Sequence, residues 1–227
     1  MTDQPGELGF SLATPGGRLK TYADFLFRDH AVLRLGFRNA HWVSDELVRS
    51  NQPWPHQLAA WKRAGVKTVL NLRGRSASSA HLIEREACAR LGLELVDFRV
   101  SSKAAPTAEQ VLAARRLFET LAYPALMHCK SGADRTSVMA VLYLHFRLGR
   151  PVEQAIEQLG LRYLHLRHGR PGVLDEVFAI YLREVAPRGV SFGAWVASDA
   201  YDPDAITARY ARKAKLKGLF DALVRRE

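Results

Sequence analysis

A cysteine and an arginine lie six positions apart in the segment 128–136, which follows a short apolar run and precedes a long one. In such a segment, the backbone N–H groups of the loop and the N-terminus of the next helix can form a cradle for an anion, and Gly132 permits the tight turn. Cys129 at the base of the cradle would feel the helix dipole, the converging N–H groups and the charge of Arg135. All three favour the thiolate over the thiol. The segment therefore predicts a nucleophilic thiolate beneath a site for a phosphate-sized oxyanion.

The neighbours of the cysteine have predicted supporting roles. Arg135 is close enough along the loop to bind two oxygens of the anion bidentately, which would stabilise charge in the transition state. We expect Thr136 to donate its hydroxyl to the cysteine sulfur when a covalent intermediate breaks down, and His128 to hold the loop and to favour the ionised thiol. The anion is expected to bind the residues that follow the nucleophile: Lys130, Ser131, Gly132, Ala133 and Arg135.

Short apolar strands alternate with helices along the chain. The predicted elements are a helix from Pro53 to Gly65, a strand at 66–72, a helix at about 79–91, a strand at 93–100, a helix from Pro106, a strand at 125–128, and helices at about 136–148, 152–160 and 173–186. This alternation predicts an α/β fold, a three-layer sandwich with a mostly parallel central sheet of about four to five strands flanked by helices. Ligands bind beyond the carboxyl ends of the strands in such sheets, and the loop after His128 lies there.

The length of 227 residues suits one domain with extensions and is too short for two full cores. We expect a single catalytic domain at 41–187. Residues 1–40 contain glycine, proline and scattered basic and aromatic residues without a sustained period, so we expect an irregular N-terminal arm over the domain surface. Residues 188–227 are expected to form a basic C-terminal extension that contains an amphipathic helix.

The segment 128–136 resembles the signature of the protein tyrosine phosphatase superfamily, which is His-Cys, five residues, Arg, then Ser or Thr. Its flanks, Arg-Ser-Asn-Gln-Pro at 49–53 and the strand at 66–73, are similar to small bacterial members of the dual-specificity branch. With these flanks the resemblance extends from residue 42 to residue 186. It implies the cysteine-phosphatase fold and two-step hydrolysis of phosphate monoesters, such as phosphotyrosine in proteins, through a phosphocysteine. It also implies no metal or organic cofactor.

Two other functions stay open at this point. One is a phosphatase for phosphoinositide or other phospholipid head groups, because Lys130 directly after the nucleophile resembles the loop of the phosphoinositide 3-phosphatases. A solvated lysine at the rim is the alternative interpretation of that residue. The other function is a phosphate-binding pseudophosphatase, but such modules usually lose the nucleophile or the arginine, and this chain keeps both. The complete signature also disfavours a reading in which Cys129 is only a small core residue and Arg135 a surface charge.

The general acid departs from the usual pattern. Relatives usually carry an aspartate on a loop about thirty residues before the cysteine, where it protonates the leaving oxygen. Here residues 99–106 contain no carboxylate. Asp97 is one candidate, although it falls in a predicted strand and could simply face solvent. Asp134 is the other, because it precedes Arg135 directly, as in the loop of the myotubularin lipid phosphatases. The alternative is that Asp134 points outward and pairs with a neighbouring arginine or lysine.

Cysteine usage and hydropathy bear on the cellular compartment. Two cysteines cannot form a disulfide framework, and we expect both to be reduced. Cys88 could resolve an oxidised Cys129 as a disulfide, but its place between two alanines of a predicted helix favours a buried core thiol. The N-terminal residues lack a secretory signal pattern. The longest apolar stretch, at 138–144, is far shorter than the roughly 20 residues that cross a bilayer. We therefore expect a cytoplasmic protein, with peripheral contact at the inner membrane surface as an option.

The formal net charge is +10, and residues 205–227 contain seven basic side chains against two acidic ones. A basic amphipathic helix there could lie on an anionic membrane. A helix that packs on the domain and solvates its basic face is an equal alternative. The predicted partner is a phosphorylated protein or phospholipid substrate. Nucleic acid ranks last as a partner, because the sequence has basic residues but no recognised nucleic-acid motif.

Overall fold

The computed structural model describes residues 9–167 and 169–224, with side chains up to residue 215. The chain folds into two compact units. The first comprises the residues up to Arg99 together with Leu121–Gly132, and the second comprises Val100–Thr120 and the residues from Ala133 onward. The signature segment thus begins in the first unit, where a strand ends, and continues in the second, where a helix begins.

The first unit is built on a five-stranded sheet. Its strands are β1 (His41–Trp42), β2 (Leu47–Asn51), β3 (Thr68–Asn71), β4 (Glu94–Asp97) and β5 (Ala125–Cys129). Their order is β1-β2-β5-β3-β4; the last four run parallel to their neighbours, and β1 pairs antiparallel with β2. All residues of β2, β3 and β5 are buried, as expected for the inner strands of a parallel sheet covered on both faces, and they include two large polar side chains, Arg49 and His128.

The carboxyl ends of the four parallel strands meet at one edge of the sheet. Cys129 at the end of β5 is paired in register with Asn51 at the end of β2. On the other side, Asn71 at the end of β3 is paired with His128 and with Asp97, the last residue of β4. The predicted nucleophile therefore lies at the edge where ligands bind in parallel sheets.

Three helices of the first unit have local start signals. They are α1 (Pro15–Phe27), α2 (Pro55–Arg63) and α3 (Ser79–Leu91). Thr14 caps α1 by accepting from the N–H of Gly17, and Ser78 caps α3 by accepting from the N–H of His81. Gly92 ends α3 in the left-handed region, with φ of 62°.

Helix α1 corrects the prediction for the N-terminal residues. Residues 15–27 form a regular helix where we expected an irregular arm, and α1 contacts α3. Phe25 is buried in a cluster with Trp54 and Ile83, and the Phe25 and Trp54 rings meet edge to face with their centroids 4.8 Å apart. Packing against residues distant in sequence holds this helix, and a local sequence pattern cannot reveal such contacts.

The second unit is helical. Its helices are α4 (Ala108–Thr120), α5 (Asp134–Phe146), α6 (Val152–Ala155), α7 (Val173–Ile180), α8 (Phe192–Val196) and α9 (Pro203–Val224). The spacing of Thr107 and Gln110 predicts a capping box before α4, and the two residues do exchange backbone-to-side-chain hydrogen bonds of 3.0 and 3.1 Å. Every residue of α5 from Thr136 to Tyr143 is buried. The predicted helix at 152–160 is shorter than expected, because α6 tightens into a 3₁₀ turn after residue 155.

The first half of α9 packs within the second unit. Ile206 is buried, Thr207 accepts a hydrogen bond from the N–H of Ala105, and Arg209 pairs with Glu176 at 3.3 Å. The predicted helix in the C-terminal extension is therefore present, and its described residues behave as a packing helix. The remaining side chains of the predicted amphipathic face fall outside the described residues: Leu216, Lys217, Leu219, Phe220, Leu223, Arg225 and Arg226.

These observations confirm the predicted α/β class, with a mostly parallel sheet of five strands flanked by helices. The boundaries of a catalytic domain at 41–187 stay a prediction. Within residues 9–167 and 169–224, the helices are all too short or too polar to cross a bilayer.

Candidate active site

Cys129 is the last residue of the central strand β5 and is buried. The strand fixes the position of its backbone through pairing on both sides, with β2 and with β3. The chain then leaves the sheet through Lys130, Ser131 and Gly132. Cys129 thus ends the strand directly before the loop, and its role as nucleophile stays a prediction.

Glycine is required at position 132. Its φ is +72°, in the left-handed region, and a Cβ there would lie 2.6 Å from the backbone nitrogen of Asn51 and 2.7 Å from the carbonyl carbon of Ser50. The loop therefore passes directly against the end of β2. The prediction that Gly132 permits a tight turn is consistent with this contact.

Donors of the first unit bind the carbonyl groups of the loop. The Asn39 amide donates to the Ser131 carbonyl at 3.0 Å, and the buried Arg49 guanidinium donates to the Gly132 carbonyl at 3.0 Å. The N–H of Gln52 donates to the Lys130 carbonyl at 3.3 Å. In a planar trans peptide, the N–H of the next residue points away from the carbonyl. These bonds therefore turn the N–H groups that follow Lys130, Ser131 and Gly132 away from β2, as an anion cradle requires.

A buried carboxylate lies beside the histidine that precedes the nucleophile. His128 Nε2 lies 2.8 Å from Glu84 Oε1 of α3, and both side chains are almost fully buried. The Nδ1 atom of the same ring lies 3.3 Å from the carbonyl oxygen of Cys129. Glu84 thus lies in close contact with the ring of His128, and the loop-holding role of the histidine stays a prediction. Sequence reasoning missed Glu84, although its spacing from Ala80 and Ala87 placed it on the apolar face of α3.

Lys130, a predicted phosphate-binding residue, lies beside a buried acid. Its Nζ is 3.6 Å from Asp29 Oδ1, and Asp29 also pairs with Arg34 at 2.5 Å and with Arg73 at 2.7 Å. Burial alone would raise the pKa of Asp29, but the hydrogen bonds and charges of Arg73 and Arg34 outweigh burial and lower it. The carboxylate is therefore ionised, and three cations surround one anion. This cluster keeps a positive balance next to the loop.

In the second unit, Asp134 and Arg135 open helix α5, and both are half-buried. The arginine thus lies in the first turn, as the signature predicts. The hydroxyl of Thr136 donates to the carbonyl of Ala133 at 3.1 Å, which is a bond within the helix start. Its predicted role toward the cysteine sulfur stays a prediction.

Asp134 belongs to a chain of alternating charges that sequence reasoning missed. His165 Nδ1 lies 2.9 Å from Asp134 Oδ1, and His165 Nε2 lies 2.7 Å from Asp175 Oδ2. Arg167 Nε lies 3.2 Å from the other oxygen of Asp175. The sequence interpretation pairs Asp134 with a neighbouring arginine or lysine, whereas its partner in the structure is His165. No sequence signal marks His165, because it lies outside any regular element.

The charge state of His165 follows from its two partners. Burial alone would lower its pKa, but the hydrogen bonds and charges of Asp134 and Asp175 outweigh burial and raise the pKa to about 9. The imidazole is therefore cationic at neutral pH and donates from both ring nitrogens. Asp134 accepts one of these bonds, so its carboxylate is fixed at the start of α5.

Asp97, the other candidate acid, is held within the first unit. Its carboxylate accepts from the Asn71 amide at 2.8 Å and lies 3.0 Å from His81 Nε2. The side chain is 23% exposed. The residue as a whole is exposed at the end of β4, which agrees with the solvent-facing interpretation, while its carboxylate keeps these two partners.

Cys88 is a core thiol. It is buried in a cluster with Leu58, Val69 and Leu126, and burial, together with Glu84 and Asp97, raises its pKa to about 12. A thiol of this kind is almost entirely protonated at neutral pH. The alternative that Cys88 resolves an oxidised Cys129 therefore lacks the required thiolate.

Comparisons with known proteins show the family and agree with the fold. A model of the family described as "PTP-NADK: DSP-PTPase phosphatase fused to NAD+ Kinase" matches residues 44–167, a little over half of the chain and the whole of the signature segment. The crystal structure of P. aeruginosa TpbA is 21% identical with a TM-score of 0.51, over 77% of this chain and 91% of that chain. A putative phosphatase (DUF442) from Shewanella putrefaciens CN-32 is 24% identical with a TM-score of 0.50, over 66% and 98%. At these identities the two structures show the fold alone. Among curated proteins, none matches the sequence.

Proposed function

From the premise that the chain belongs to this family of dual-specificity-type phosphatases, we propose that it hydrolyses phosphate monoesters through a phosphocysteine on Cys129. One observation carries the proposal. The cysteine ends the central buried strand, and the loop that follows has its carbonyl groups bound from behind by Asn39 and Arg49. This arrangement suits a preformed oxyanion site, in which the N–H groups need little reorganisation when the phosphate binds.

The reaction has two steps. In the first, the Cys129 thiolate attacks phosphorus, the S–P bond forms, and the P–O bond to the leaving group breaks while the leaving oxygen takes up a proton. In the second, water attacks phosphorus, the S–P bond breaks, and inorganic phosphate leaves with the thiolate restored. Arg135 binds two phosphoryl oxygens in both steps, and a lysine would lose this bidentate contact. Thr136 donates its hydroxyl to the sulfur when the phosphocysteine breaks down, and His128 holds the loop and favours the ionised thiol.

Phosphotyrosine in proteins is the substrate class that we propose first. One structure of TpbA, a protein with the same fold, is in complex with phosphotyrosine. A phospholipid head group is the second candidate, because Lys130, Arg34 and Arg73 outnumber the single charge of Asp29 beside the loop. A pseudophosphatase is disfavoured, since both Cys129 and Arg135 are retained.

The general acid is proposed to be one of two carboxylates. Asp134 directly precedes the phosphate-binding arginine, but its carboxylate accepts from the His165 imidazolium, which favours the ionised form over the protonated form that a general acid needs. Asp97 is shared between Asn71 and His81. We favour Asp134 because of its place next to Arg135.

Kinetics of two variants test the proposed function. Cys129→Ser should retain less than about 1% of the wild-type kcat on a soluble aryl phosphate, which corresponds to a loss of more than about 3 kcal/mol. Arg135→Lys should also lose most activity, and vanadate should inhibit the wild type. Circular dichroism should show an intact fold for both variants. A folded Cys129→Ser protein with substantial turnover would exclude covalent catalysis by this residue.

A further inference from the structure

The segment 27–38, which joins α1 to β1, exposes large apolar side chains to solvent; we call it the rim segment. Phe27 is 70% exposed, Leu33 is 72% exposed and Phe37 is 50% exposed. Val32 and Leu35 are nearly half exposed as well. Single exposed apolar residues are ordinary, but five within eleven residues form a concentration that usually marks an interaction surface.

The backbone of the rim segment is held firmly to the first unit. The Trp54 indole donates to the Ala31 carbonyl at 3.0 Å, and the Gln57 amide donates to the Arg34 carbonyl at 3.1 Å. Ala31 and Arg34 are themselves buried. The same short turn therefore buries two residues and directs their neighbours Val32, Leu33 and Leu35 outward. The exposure of these side chains is a property of an anchored surface.

The rim segment also adjoins the catalytic loop within the first unit. The Asn51 amide donates to the Phe37 carbonyl at 2.6 Å, and the N–H of Asn51 donates to the Arg38 carbonyl at 3.1 Å. Asn51 is the residue paired with Cys129 in the sheet. Asn39, which follows Arg38 in the chain, donates from its amide to the carbonyl of Ser131. A body that covers the rim segment would therefore lie beside the nucleophile loop.

The exposed charges of the rim segment are positive. Arg28 and Arg38 are exposed, and Arg28 also lies 3.7 Å from Asp24, just before the segment. The single acidic residue, Asp29, has a side chain that is 10% exposed and is paired with Arg34 and with Arg73 outside the segment. The surface is thus apolar and basic together. This combination complements an anionic lipid surface, where apolar side chains enter the boundary between head groups and acyl chains and basic side chains meet the head groups.

We propose that the rim segment is a docking surface for an anionic lipid bilayer. Phe27, Leu33 and Phe37 insert into the interfacial layer, while Arg28 and Arg38 contact the anionic head groups. The catalytic loop is then held at the membrane surface, where phosphorylated head groups or the phosphorylated parts of membrane proteins are within reach. The docking itself does not depend on the proposed catalytic mechanism.

Vesicle binding tests this surface with closely matched variants. The full-length wild type should co-sediment with vesicles of phosphatidylcholine and phosphatidylserine, and less with vesicles of phosphatidylcholine alone. Phe27→Ser combined with Leu33→Ser should weaken the partition by at least about tenfold, because two inserted side chains are lost. Leu19→Ser combined with Leu161→Ser is the control, since these side chains are 74% and 73% exposed but lie outside the segment.

A second pair of variants separates the rim segment from the basic C-terminal helix. Arg28→Ala with Arg38→Ala should weaken binding and reduce its salt dependence, whereas Arg212→Ala with Lys215→Ala on α9 should not. All variants should hydrolyse a soluble aryl phosphate at the wild-type rate, so a failure of the proposed chemistry would show separately as no activity in any protein.

Three results would overturn the proposal. The first is a wild type that does not bind anionic vesicles, or a Phe27→Ser/Leu33→Ser variant that binds like the wild type. The second is that this variant loses activity on a phosphopeptide and neither it nor the wild type binds vesicles. The surface would then be a peptide-docking site. The third is a wild-type dimer, detected by sedimentation, that this variant dissociates, which would make the surface a self-association face.

Discussion

Replacing His165 with asparagine removes an imidazolium that joins two carboxylates of the second unit. The side chain is fully buried and donates to Asp134 and Asp175. Besides these two acids, Arg167 contributes a charge to the cluster through its contact with Asp175. The variant keeps a hydrogen-bonding side chain but cannot carry a charge. We therefore expect the stability difference between wild type and His165→Asn to depend on pH.

The pKa of His165 sets the size and direction of this effect. It is raised from 6.5 to about 9 in the folded protein. A group with a raised folded-state pKa stabilises the protein fully below its unfolded pKa, and the stabilisation is lost as the pH rises through the folded value. At about 1.4 kcal/mol per pKa unit, the imidazolium contributes about 3 kcal/mol at pH 6, about 2 kcal/mol at pH 7.5 and under about 0.5 kcal/mol at pH 9.

Urea unfolding of both proteins between pH 6 and pH 9 measures this contribution. The free energy of unfolding of the wild type should exceed that of His165→Asn by an amount that shrinks by about 2–3 kcal/mol over the range. His56→Asn, at an exposed histidine of α2, is the matched control. A difference between wild type and His165→Asn that stays constant from pH 6 to pH 9 would refute a cationic His165 between two carboxylates.

Three further predictions concern the loop and its supports. Asp134→Asn should slow hydrolysis of an alkyl phosphate by about 10²–10⁴-fold, slow that of an activated aryl phosphate much less, and flatten the basic limb of the pH–rate profile. Asp97→Asn should have little effect on either substrate. The opposite pattern would make Asp97 the acid. Gly132→Ala should lower kcat/KM on the aryl phosphate at least about tenfold, because the added Cβ would lie 2.6 Å from the backbone of β2, and a wild-type rate would show that the loop tolerates this contact. Glu84→Gln should lower the free energy of unfolding by about 1–3 kcal/mol, which is more than Glu86→Gln should, because Glu86 belongs to a surface pair on the same helix. If urea unfolding gave the same loss for both variants, the contact with His128 would not be stabilising.

Much of the fold was predictable because its determinants are local. The strand that ends at Cys129 and the helix that begins at Asp134 follow from apolar runs separated by a polar loop with Gly132. The capping box at Thr107 was predictable because it also depends only on local sequence. The signature segment then identified the nucleophile and the arginine together, because the chemistry requires both at a fixed spacing.

The missed features depend on contacts between residues distant in sequence. Helix α1 begins with Pro-Gly-Gly, which masks a helical pattern, and is held by packing such as that of Phe25 on Trp54. Glu84 and His128 are 44 residues apart, and His165 and Asp134 are 31 residues apart. A single residue in an irregular segment belongs to no periodic sequence pattern. Its partners are therefore seen only in the folded chain.

Trapping the covalent intermediate tests the central claim most directly. Wild-type protein is mixed with an aryl phosphate, quenched in acid within a turnover, digested and examined by mass spectrometry. We predict one phosphate on the peptide that contains Cys129, in the wild type and in Cys88→Ala, and none in Cys129→Ser. A phosphate on a different residue, or full activity of Cys129→Ser, would contradict a phosphocysteine mechanism.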